Sequence, residues 1–132
     1  MTPKTIAKIA HESLGAYLSS KLGETPMAWD DLHHTARKAA VAGVLAVMDD
    51  PGITVASFHA QWVARMVSAG WRFGTDTDHH GKRHADLQPW EDLPPAHQAK
   101  AALALAVYKA LTPFIRFGNG NGNGKSNTFI FY

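Results

Sequence analysis

A chain of 132 residues, 45% hydrophobic and 18% charged, fits one soluble globular domain and excludes a disordered one. No apolar run approaches the ~18–20 residues of a membrane span, and MTPKTIAKIAHESLGAYL lacks the apolar core and cleavage site of a signal peptide, so the cytoplasm is the expected compartment. The absence of cysteine excludes disulfides and Cys-ligated zinc. The net charge of +2 comes from Arg116 and Lys125, which leaves residues 1–112 neutral and poorly suited to a long nucleic acid.

In chain order, Ile6, Ile9, Ala10, Leu14, Tyr17, Leu18 and Leu22 recur at three- and four-residue steps and predict a helix over 5–22, closed by Gly23. Trp29 stands in the connection that follows and reads as a core plug. A second helix is predicted from Thr35 to Met48 on Ala36, Ala40, Val41, Val44 and Val47, with Asp30 or Asp31 near its start. Asp49-Asp50-Pro51-Gly52 stops it. Thr54 is the expected N-cap of a third helix, Val55 to Ala69, whose apolar face is Phe58, Trp62, Val63, Met66 and Val67.

Gly70 ends that helix, and Trp71-Arg72-Phe73 alternates as a short strand does. Residues 74–88 read as one long polar loop, a length common in functional segments. Pro94-Pro95 opens a fourth helix that runs to Leu111. Beyond Pro113, GNGNGNGKSN is a low-complexity tether and TFIFY, Thr128 to Tyr132, is a candidate terminal strand. The fold class is therefore mainly α, with short strands and a C-terminal tail. The divisions are a helical leader at 1–54, a unit at 55–112 packed with it, and the tail at 113–132.

Residues 59–111 resemble the RyR domain, the small repeat first named in ryanodine receptors and also found alone in bacterial and phage proteins. The likeness rests on His59-Ala-Gln-Trp62, Gly70-Trp71-Arg72-Phe73-Gly74, Lys82-Arg83-His84, Leu87-Gln88-Pro89-Trp90 and Leu93-Pro94. IAKIAHE, Trp29 and AVAGV at 40–44 also resemble the leader of prophage-encoded members. The chain departs from the family pattern at Met66, Ala85 and Ala101, where a lysine, a proline and an aspartate are usual. The resemblance implies a mostly helical unit and a ligand-binding role, with nucleotide-derived signals as the favoured ligands.

The residue types agree with such a role. Trp71, Phe73 and Trp90 offer flat apolar faces, and Arg72, Lys82 and Arg83 offer cations for phosphates. His84 adds a polar contact. His59 lies on the apolar face of the third helix, where a histidine is usually hydrogen-bonded in the core; as the head of the H-x-x-W motif it joins the candidate ligand-binding residues. His11 reads as a core-side histidine, and His33-His34 as solvent-facing.

Asp76, Asp78, His79, His80 and His84 hold metal-ligating atoms, but Gly81 breaks the helix that would give their spacing meaning, so no metal and no cofactor are expected. No GxSxG, HExxH, P-loop or GxGxxG motif occurs, which points away from an enzyme. The expectation is a non-catalytic binding module for a nucleotide-derived small molecule, acting in the host cytoplasm as a phage sponge of an immune messenger. It would work as a homo-oligomer, without membrane or long nucleic acid. The alternative is a structural protein that oligomerises through its C-terminal strand.

Overall fold

The computed structural model describes residues 1–115, and its first helix begins where Thr2 caps the backbone N–H of Thr5. Helix α1 spans Pro3–Tyr17 and continues through one wider π turn, Leu18–Leu22, to Gly23 at φ 64°. A 3-10 turn at Trp29–Asp31 leads into α2, His34–Asp49. The N-cap of α2 is His33, with Asp30 and Asp31 in the turn before it. Helix α3 is Val55–Ser68, capped by Thr54 through its hydroxyl on Ser57 N–H, and α4 is Pro95–Leu111. The predicted terminal strand at 128–132 lies outside the described residues.

The principal core gathers Ile6, Ala7 and Ala10 of α1, Val41, Val44 and Val47 of α2, Phe58 of α3, and Leu105 and Tyr108 of α4. Trp29, Ile53 and Ile115 close it. Residues on both sides of position 54 thus bury the same apolar surface, the main stabilising term in a chain of this size. Polar ties pin the edges: Tyr17 Oη donates to Ala96 O at 2.9 Å, and Lys109 Nζ donates to Ile53 O at 3.0 Å.

A second, smaller core holds Ala39, Met66, Trp71 and Leu87, with Trp62 and Val63 packed against it. It forms because α3 ends abruptly. Trp71 N–H donates to Met66 O and Gly70 N–H to Val67 O, a Schellman closure with Gly70 at φ 95° and Trp71 folded back onto Met66.

The next segment differs from the sequence expectation. Residues 74–88 are not one loop: Arg83–His84 form strand β2, paired in parallel with β1, Arg72–Phe73, in the register Arg72 to Arg83 and Phe73 to His84. A two-residue strand has too few positions to show alternation, so no pattern marked it.

Candidate functional site

Trp71 organises the region to which the sequence drew attention. Its side chain is fully buried, and Nε1–H donates to Thr35 Oγ1 at 2.8 Å. Because an indole N–H only donates, the Thr35 hydroxyl keeps its own proton for His33 Nδ1, 2.7 Å away. The same Nδ1 accepts from Thr35 N–H and so caps α2. His33 is therefore a half-buried cap rather than a solvent-facing residue. Its pKa lies below the usual histidine value through desolvation, then the nearby charges of His34, Lys82 and Arg37.

Three histidine rings surround Trp71. His33 and His79 meet it edge-on at 5.8 and 5.1 Å, and His84 lies at 6.3 Å. His84 Nδ1 accepts from Asp86 N–H at 3.1 Å, which leaves its proton on Nε2. Desolvation, then the charge of Lys100, pushes its pKa down to about 3. His79 is also lowered, by burial first and by His11 and His33 next, and its Nδ1 is buried without a hydrogen bond. Asp86 is buried between His97 Nδ1 at 2.6 Å and Lys100 Nζ. Burial would raise its pKa, but the Lys100 charge and hydrogen bond hold it below the usual range.

The predicted ligand-binding residues separate into two groups. Trp71 and His59 are interior, His59 donating through Nε2 to Gln88 O at 2.8 Å. Arg72 Nη1 donates to Val67 O and Trp71 O, and Lys82 Nζ donates to Ala69 O at 2.9 Å. These two cations complete the carbonyl end of α3, where the helix dipole favours positive charge.

The second group is open. Phe73 is 54% exposed, Arg83 is exposed, and Trp90 and His84 are half-buried. The strand register sets Phe73 beside His84. Trp62, which the sequence placed on the apolar face of the third helix, is half-buried and meets His84 edge-on at 4.9 Å. His59 stands between Trp62 and Trp90, at 5.7 and 5.9 Å. The result is an aromatic strip with Phe73 beside it; Arg83, next to His84 on β2, projects from the opposite face of the strand pair, where its side chain covers Gly74. No family model, curated protein or solved structure matches this chain.

Asp86, His97 and Lys100 also went unremarked in the sequence. The i, i+3 spacing of His97 and Lys100 on one helix face was their one local signal. Among the described residues, no group of three or more His, Asp or Glu side chains is arranged to hold a metal ion. No described helix is long and apolar enough to cross a membrane. Two clefts, of about 170 and 230 Å³, flank α2, and none of the residues predicted for ligand binding lines either.

Proposed function

We propose that the chain is a non-catalytic binding module for a nucleotide-derived small molecule, in the manner of the RyR domain it resembles. The observation that carries this reading is the aromatic strip of Trp62, His84 and Trp90 with the exposed Phe73 set beside His84 by the strand register. Half-open indole and phenyl faces suit stacking on a base, and each such contact is worth about 1–3 kcal/mol. The Arg83 guanidinium leaves the opposite strand face and makes no hydrogen bond or ion pair among the described residues, which keeps its donors for a phosphate that passes the edge of the two-residue strand. His84, held neutral, supplies an Nε2–H donor. In this reading Trp71, His59, Arg72 and Lys82 build the frame, and Phe73, Arg83, His84 and Trp90 meet the ligand. In a chain of phage origin, such a module would sequester a host messenger in the cytoplasm.

Thermal denaturation against a panel of adenine dinucleotides, cyclic nucleotides and ADP-ribose derivatives tests it. At least one class should raise the Tm of the wild type, and Arg83→Ala and Trp90→Ala should each weaken that ligand about tenfold. A panel without any shift, or variants that bind like the wild type, refutes the proposal.

A further inference from the structure

The smaller cleft lies at the first turn of α2 and shares no lining residue with the site just discussed. Its lining is Lys4, Trp29, His34, Arg37, Lys38 and Val41. Trp29 and Val41 are buried and form its floor. Lys4, His34 and Lys38 are exposed at its walls. No carboxylate lines it, and neither α1 nor α2 has an acidic residue in its first turn.

That distribution opposes ordinary helix electrostatics. Helix N-termini carry partial positive charge and favour Asp or Glu, yet Lys4 is the second residue of α1, and Arg37 and Lys38 follow directly on the first three residues of α2. The Lys4 and Lys38 ammoniums make no hydrogen bond or ion pair among the described residues. Arg37 is fixed in place: its Nη1 donates to Leu32 O at 2.6 Å and to Asp30 O at 3.2 Å. This anchorage leaves Nε and Nη2 as oriented donors. One anchored guanidinium and two unpaired ammoniums around a concavity, at the starts of two helices whose first turns hold no acid, form a site that an anion would relieve.

We propose that this cleft is a binding site for a phosphate-bearing anion, held by Lys4, His34, Arg37 and Lys38 over the floor of Trp29 and Val41. A volume of about 170 Å³ is that of roughly five or six waters, the scale of a phosphate or short phosphate chain and not of a polymer. Trp29 is too deeply buried to stack on a base, so recognition is of the phosphate part. The site does not depend on the aromatic strip.

The test is calorimetric titration of the full chain with inorganic tripolyphosphate at low salt, alongside thermal denaturation. The wild type should bind and gain Tm. Lys4→Gln with Lys38→Gln should weaken binding at least about tenfold, since each change removes a charge-assisted contact. Both lysines are exposed, so the double variant should fold, with circular dichroism as the check. Arg83→Ala and Lys21→Gln should bind as the wild type does. The proposal is overturned by a wild type that does not bind, by a double variant that binds equally well, or by loss of binding in Arg83→Ala instead.

Discussion

His84 shows how one side chain couples packing to protonation. Its Nδ1 is committed to Asp86 N–H and its ring to Trp62, so a second proton has to enter a desolvated position facing Lys100. With the folded pKa at about 3 and the unfolded value near 6.5, the unfolded chain takes up the proton first as pH falls. Stability is therefore lost progressively from about pH 6.5 down to about 3, and His84 adds no pH dependence above that window. His33 and His79 are lowered too and act in the same direction. His84→Asn places an amide oxygen where Nδ1 accepts and cannot titrate. Its Tm should therefore fall less steeply than the wild type's between pH 6.5 and 4. Parallel Tm–pH curves would show that His84 does not govern the acid limb. The sequence marked His84 as a polar contact, but not its protonation state, because Asp86 and Lys100 approach it only through the fold.

At the scale of elements, the four helices were legible because each carries a stripe and a stop. Thr54, Gly23, Gly70 and Asp49-Asp50-Pro51-Gly52 act where local chemistry requires. The second strand was not legible, since its existence depends on the turn after α3. Gly70 at φ 95° lets Trp71 fold back, and Lys82, itself at φ 55°, then returns its ammonium to Ala69 O. The same turn explains why the cations at 72 and 82 looked free in the sequence: the carbonyls they satisfy belong to the end of the preceding helix. A Cβ at position 70 meets only Lys82, at 3.4 Å from Nζ, so the obstacle to alanine is the backbone angle rather than space. Gly70→Ala should cost about 1–2 kcal/mol. Urea unfolding checks it, and an unchanged midpoint would mean that the turn relaxes without strain.

For the molecule as a whole, Asp86 joins what the two cores leave separate. It sits in the segment between β2 and the fourth helix, beside the smaller core, and reaches His97 and Lys100 on α4, which packs into the larger one. A buried carboxylate of this kind is costly to orphan but not always stabilising in itself. Breaking such a pair from one side costs about 3–5 kcal/mol, while replacing both partners by apolar groups of similar volume is often nearly neutral. Asp86→Ala alone leaves the Lys100 ammonium and the His97 ring facing a vacated, desolvated position. It should lower stability by about 3 kcal/mol, a Tm drop of about 10 °C or more for a domain of this size. Asp86→Leu with Lys100→Met removes both charges and should recover at least half of that loss. The four proteins of the cycle, wild type, D86L, K100M and the double variant, then give the coupling directly from urea midpoints. A coupling near zero, with Asp86→Ala no less stable than the wild type, would mean that water reaches the pair and that the contact between α4 and the segment after β2 rests on apolar packing alone.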